Sequence, residues 1–214
     1  MDFHQGNLSL SRLNFGTIIL LPKKEDAKVI QQYRPICLLN VSFKIFTKVA
    51  TNILTTIAKK IIRPTQTAFL PGRNILEGAV ILHETLHELH IKKKDGVIFK
   101  IDFEKAYDKL KWSFLQQTLR MKVFSQKWCQ WVKTFTEGGN INIKVNDQLG
   151  SYFQIKKGLR QGDHMSPILF NIVGDMLAIL IARAKAAGQV EGVIPNFEYN
   201  VKMLLLFLVL GNVH

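Results

Sequence analysis

Cysteine is almost absent. The 214 residues hold two, Cys37 and Cys129, with neither the paired spacing of a zinc site nor the density of a disulfide scaffold, which points to a reducing compartment. No secretory leader is visible, because residues 1–11 are polar where an apolar stretch would be needed. An intracellular protein, cytoplasmic or nuclear, is expected. The apolar run at 203–210 has eight residues, against the roughly 20 that a spanning helix requires, so a buried strand or helix is expected there and no membrane partner. Internal repeats, low-complexity runs and a clear interdomain linker are missing. Acid is scarce: 16 Asp and Glu stand against 29 Lys and Arg, and no aspartate follows Asp175.

The resulting net charge of +13 and pI near 9.8 favour polyanionic partners, nucleic acid above all, through phosphate neutralisation and counterion release. Charge alone does not separate that from an ordinary solvated basic surface. The excess is uneven. Residues 1–64 carry 10 basic against 3 acidic side chains, so a phosphate-facing surface is expected from the N-terminal third.

The length suits one domain or two closely packed subdomains. Periodicity predicts a strand over 14–21 and a helix over 42–62, with Phe43, Ile45, Phe46, Val49, Ile53, Leu54, Ile57 and Ile61 on one stripe. A second amphipathic helix is predicted over 76–94. A short β-branched strand over 97–102 ends in Asp102. Helices over 107–122 and 127–135 follow, then a hairpin of 141–145 and 152–155 turning through 146–151. A long apolar helix over 166–187 opens with Ser166 and Pro167. Strands and helices mix without βαβ regularity, which argues for an α+β fold.

Two segments carry chemistry. Residues 99–108 read Phe-Lys-Ile-Asp-Phe-Glu-Lys-Ala-Tyr-Asp. A carboxylate at the end of a buried strand is commonly a cap, yet it is also the rigid mount that phosphoryl transfer needs. That chemistry uses divalent ions about 3.5–4 Å apart, and Mg²⁺ prefers one or two carboxylates plus substrate phosphates. Residues 158–170 read Gly-Leu-Arg-Gln-Gly-Asp-His-Met-Ser-Pro-Ile-Leu-Phe. Glycines there let backbone approach a nucleotide or template closely.

Together these segments resemble two signature blocks of the reverse transcriptases of plant LINE-type (non-LTR) retrotransposons. Leu21-Pro22-Lys23-Lys24, then Tyr33-Arg34-Pro35-Ile36 with Leu38-Leu39, and the stretch from Gln66 to Arg73 agree with the same family. The resemblance covers about residues 14–192. It implies RNA-directed DNA polymerase activity, with an RNA template and DNA primer as partners and Mg²⁺ as cofactor. By the same resemblance Asp102 binds the catalytic metal and Tyr107 stands under the incoming sugar. Lys23 and Arg34 face the nucleotide triphosphate, where a point charge and a guanidinium fork both serve. Arg160 binds phosphate, and Gln161 contacts the nucleotide or template. His164-Met165 stands where the family has Pro-Leu.

The implied architecture is the fingers and partial palm of a right-hand polymerase. Residues 1–75 would be fingers-like and 76–192 palm-like with interleaved fingers helices, around an antiparallel palm sheet. The family's Tyr-x-Asp-Asp hairpin would fall where residues 193–214 stand, and those residues contain no such run. A copy truncated of that hairpin and of the thumb, pseudogene-like and catalytically inactive, is the expectation. A non-catalytic nucleic-acid-binding role is the alternative.

A competing pattern is His83-Glu84-Thr85-Leu86-His87, a formal His-Glu-x-x-His on a predicted helix. In zincins the two imidazoles bind zinc and the Glu is general base. His90 lies one turn on, but the extended pattern fails, since position 93 is Lys. An amphipathic helix with Leu82, Leu86 and Leu89 inward explains the segment without metal. A zinc metallopeptidase is the remote alternative.

Overall fold

The computed structural model describes residues 10–189 apart from 65, 67, 68, 94–102 and 104. The expected strand over 97–102, Asp102 itself and the tail at 193–214 lie outside the described residues. The chain divides into two units, Met1–Ile53 with Lys105–Pro167, and Leu54–Glu104 with Ile168–His214. The units interleave along the chain.

In the first unit, β1 (Phe15–Pro22) and β2 (Tyr33–Leu39) form an antiparallel hairpin, with Gly16 opposite Leu39 and Pro22 opposite Tyr33. β3 (Asn140–Val145) lies parallel to β1 on its other side, with Phe15 opposite Asn140 and Ile19 opposite Lys144. β4 (Gln148–Leu149) and β5 (Phe153–Gln154) both pair with β3 in the antiparallel sense. This sheet is therefore mixed, because β3 reaches β1 by a long crossover rather than a hairpin, and the strand at 97–102 expected in the antiparallel palm sheet lies outside the described residues. The turn from β3 to β4 is tighter than the expected one. Asn146 and Asp147 take φ of 48° and 62°, the left-handed pair of a two-residue hairpin turn.

Helix α1 (Val41–Ile61) buries Phe43, Thr47, Ala50, Leu54 and Ala58. Ile45, Val49 and Ile53, expected inward, are 61%, 54% and 47% exposed. Small residues at 47, 50 and 58 let the backbone pack closely, and the bulkier β-branched positions turn outward. The predicted helix over 107–122 is broken into α3 (Ala106–Lys109) and α4 (Trp112–Met121), with Leu110 extended between them. Ser125 caps α5 (Gln126–Thr136), accepting from the Trp128 amide at 3.2 Å. Leu115, Leu119, Cys129, Val132 and Phe135 are the buried apolar positions of this helical pair, beside buried Gln116, Thr118 and Thr136. The Phe135 ring meets the edge of Phe43 at 6.2 Å.

In the second unit, Asn74 caps α2 (Ile75–Ile91), accepting from the Leu76 amide at 3.0 Å. Arg73 closes the end of α1 by donating to the carbonyls of Ile62, Arg63 and Gln66 at 2.9, 2.7 and 2.6 Å. α6 runs Ser166–Ala186. Its Asp175 accepts from the Arg63 amide at 3.0 Å, and its Asn171 accepts from Gln66 Nε2 at 2.7 Å. By length and composition α6 passes as a membrane-crossing helix. Its buried, internally bonded Asn171 and Asp175, among buried Ile168, Leu169, Ile172 and Met176, mark it as a core helix instead. On α2, Leu86 is exposed, contrary to expectation, and the small Thr85 takes the buried position.

Candidate functional site

Residues 158–163 form neither helix nor strand, yet Gly158, Leu159, Arg160 and Asp163 are buried. Four separate stretches hold this loop. The first is 107–112, the end of the block that contains Asp102. The Gly158 amide donates to the Leu110 carbonyl and the Leu159 amide to the Tyr107 carbonyl, both at 2.8 Å. Trp112 Nε1 donates to the Gly158 carbonyl at 2.8 Å. Recruiting the Leu110 carbonyl breaks the predicted helix at that residue. Gly158 has φ +89°, and a Cβ there would lie 2.8 Å from the Asp108 carbonyl oxygen, so the position requires glycine.

The second stretch is β2. The Cys37 amide donates to the Gln161 carbonyl at 2.7 Å, so the loop satisfies the outer edge of that strand. A Cβ on Gly162, at φ +106°, would lie 2.7 Å from the Cys37 carbonyl oxygen. The third and fourth are the entry to β1 and the end of α5, both reached through Arg160. Its Nη1 donates to Asn14 Oδ1, and its Nη2 donates to the Phe135 carbonyl at 2.5 Å. The guanidinium lies 4.9 Å from the Phe43 ring centroid and 3.7 Å from Asp163. Asn14 is itself held, its Nδ2 donating to the Glu137 carbonyl at 3.1 Å.

Arg160 was expected to face phosphate. It is 8% exposed, and its planar fork is matched by protein acceptors, so it positions the loop from inside. Burial presses its pKa down, against the opposing carboxylate of Asp163. Burial also raises the Cys37 thiol, with Arg160 pulling the other way. Asp163 starts α6: its Oδ1 accepts from the Met165 amide at 3.2 Å and its carbonyl from Ser166 at 3.3 Å.

The other expected residues lie in the same unit. Lys23 and Arg34 are exposed at the end of the β1–β2 hairpin where residues 23–32 connect its strands, Arg34 opposite Leu21 and Lys23 just past the Pro22–Tyr33 pair. Lys23 Nζ donates to the Gln31 carbonyl at 3.0 Å. Gln161 is half-buried. Tyr107 is half-buried too, and burial pushes its hydroxyl up to about 12, so it remains a protonated donor at neutral pH. Burial raises the Asp108 carboxyl, with Lys105 opposing. Asn14, Trp112 and Asp163 are site residues that sequence reasoning missed. Trp112 had a signal in its adjacency to the first block. Asn14 had none, since its partners are more than a hundred residues away.

Among the described residues no three His, Cys, Asp or Glu side chains gather to hold a metal ion. The described residues therefore do not by themselves constitute a divalent-ion site, and no step through a metal follows from them. His83, Glu84, His87 and His90 lie exposed on α2 without the convergence of a zincin centre.

Residues 21–194 match the family model described as reverse transcriptase (RNA-dependent DNA polymerase). This chain belongs to the reverse transcriptase family. It is 30% identical over 203 residues to a Pol polyprotein from the type-2 retrotransposable element R2DM of Drosophila melanogaster, covering 94% of this chain and 19% of that protein. It is 28% identical over 181 residues to the transposon TX1 149 kDa protein of Xenopus laevis, covering 85% of this chain and 14% of that protein. The chain thus spans less than a fifth of these curated relatives. An apo telomerase from Candida tropicalis shares the fold, with a TM-score of 0.50 at 16% identity, over 83% of this chain and 41% of that one. The polypeptide is a reverse transcriptase domain homologous to the RNA-directed DNA polymerases of non-LTR retrotransposons, a family that works with divalent metal ions. The α+β fold and the right-hand polymerase relationship stand.

Proposed function

We propose that this reverse transcriptase domain binds an RNA template and a primer around the loop at 158–163, inside the cell, and that the 214 residues alone do not extend that primer. The observation that carries the reading is the fastening of this loop to the Tyr107–Trp112 stretch and to β2 by main-chain bonds. Sequence blocks remote from one another are thereby assembled on one framework. On it, Lys23 and Arg34 meet nucleotide phosphates, Gln161 reads the nucleotide or template, and Tyr107 packs beneath the sugar. Arg160 holds the framework and touches no ligand.

Asp102 is the carboxylate assigned to the metal, with Mg²⁺ the expected ion. When bound, the ion would supply charge neutralisation at the reacting phosphate. The chain offers no Tyr-x-Asp-Asp run to complete the site, which is why binding without extension is proposed. A plant LINE-type source is the finer assignment, carried by the motif wording.

Anisotropy of a labelled RNA–DNA template–primer tests the reading. Binding should weaken steeply between 50 and 200 mM salt, as phosphate contacts require, and Arg34→Ala should weaken it at low salt. Mg²⁺-dependent extension abolished by Asp102→Ala would overturn the non-catalytic part. Salt-insensitive binding, or none, would overturn the rest.

A further inference from the structure

We propose that the outer face of the α4–α5 hairpin is a second nucleic-acid contact, which takes single strands by stacking their bases. It rests on the reading above only for the class of ligand. The inner face of this hairpin is accounted for by its buried leucines, Cys129, Val132 and Phe135. Along the flank of that core runs a line of rings that are not fully buried. Phe124 and Trp128 stack at 6.4 Å with planes 23° apart, and Trp128 meets Trp131 at 5.7 Å. All three rings are half-buried, the Nε1 edge of Trp128 being turned inward. Lys127 Nζ lies 5.5 Å over Trp131.

The connecting turn exposes more apolar surface: Met121 is 51% and Val123 89% exposed. Val123 also has φ 61°, a left-handed conformation that β-branched residues rarely adopt.

Charge selects the occupant. Residues 105–137 carry seven Lys and Arg against two acids, and Arg120 and Lys127 are exposed beside the rings. Aromatic faces interleaved with cations fit a strand whose bases are free to stack and whose phosphates need neutralising. A duplex hides its base faces. An apolar protein partner would leave these cations without counter-charges.

Trp fluorescence reads this surface directly. The chain has three tryptophans, and Trp112 lies at the 158–163 loop, so a Trp112→Phe chain reports Trp128 and Trp131 alone. Titration with a 12-nucleotide oligo(U) should quench that emission, and a duplex of equal length should not. The double variant Arg120→Glu/Lys127→Glu should bind oligo(U) about tenfold more weakly, the loss of roughly one stacked, neutralised nucleotide, with unchanged circular dichroism. Should Trp112→Phe fail to fold, ultraviolet cross-linking of 4-thiouridine-labelled oligo(U) to the unaltered chain should map to residues 121–131.

Oligo(U) binding by anisotropy with no quenching, cross-links elsewhere, or full affinity in the double variant would overturn this surface and leave the template–primer reading intact. Equal quenching by duplex would overturn stacking. Absence of binding to any nucleic acid would overturn both. Quenching by a protein but by no oligonucleotide would make the face a protein-docking surface.

Discussion

The loop at 158–163 and helix α2 make opposite use of their residues. The loop has no regular structure but is bonded to four other stretches and buries a charged side chain. α2 is regular and well capped, yet Leu76, Val80, Leu86 and Ile91 are 64%, 55%, 46% and 59% exposed. Regularity reports local hydrogen bonding, whereas tertiary stability depends on what the side chains and free main-chain groups meet. In this domain the irregular segment is the structural centre, and a helix with strong periodicity contributes little of its apolar surface.

That contrast sets a scale of effects. The largest is expected at Arg160. Arg160→Ala would leave the Asn14 amide oxygen, the Phe135 carbonyl and Asp163 without their buried donor, and should destabilise the domain by about 3–5 kcal/mol, seen as a lower urea midpoint. Gly158→Ala comes next, at about 2–4 kcal/mol, because it combines a left-handed φ with a Cβ against the Asp108 carbonyl. A loss below 1 kcal/mol for either would sink the idea that the loop is central.

Tyr107 gives the pH dependence. Its pKa is raised from about 10 in the unfolded chain to about 12 in the fold. The folded state then holds a proton that the unfolded state has released. This stability is fully present below pH 10 and is lost as pH rises from 10 through 12, by roughly 2–3 kcal/mol in all. Tyr107→Phe should flatten that part of the alkaline decline relative to the parent, in parallel thermal melts.

A smaller effect of opposite sign is expected at Val123. Its amide bonds the Arg120 carbonyl and the Phe124 amide bonds that of Leu119, a helix-closing pattern that favours glycine at the left-handed position. Val123→Gly should stabilise by about 1 kcal/mol, raising the melting temperature. Leu86→Gln on α2 should change stability by no more than about 0.5 kcal/mol. A large loss there would mean that α2 is as deeply engaged as the loop, and the contrast would collapse.

Much of the secondary structure was legible from periodicity and caps. β1, α1, α5 and α6 lie where expected, because each has a continuous apolar pattern with a clear start or stop. The inward face of α1 was not legible. Hydrophobicity alone ranks Ile45 and Val49 above Thr47 and Ala50, while close packing favours the smaller pair. The helix break at Leu110 and the burial of Arg160 were also hidden. Both are set by partners far away in sequence, Gly158 and Asn14, that no local window contains. Of the site, the blocks were readable as a family resemblance and their meeting at one loop was not. Gln161 is part of that loop and the Tyr107 carbonyl is bonded to it, Lys23 and Arg34 lie at the loop end of the β1–β2 hairpin, and Asp102 lies outside the described residues.

The parallel pairing of β1 with β3 has a consequence for how the domain is born. Phe15 and Asn140 are register partners 125 residues apart. The hairpin is complete at Leu39, 101 residues before Asn140, so at a synthesis rate of about 5–20 residues per second it waits roughly 5–20 seconds for its third strand. Arg160, which must reach Asn14, arrives later still. Throughout that interval β1 offers an unpaired edge on the side β3 will occupy, and a nascent strand edge is a template for the wrong neighbour. Non-local pairings of this kind also slow folding in the completed chain. The domain's yield in a cell would then depend on shielding that edge during translation as much as on the stability of the finished fold.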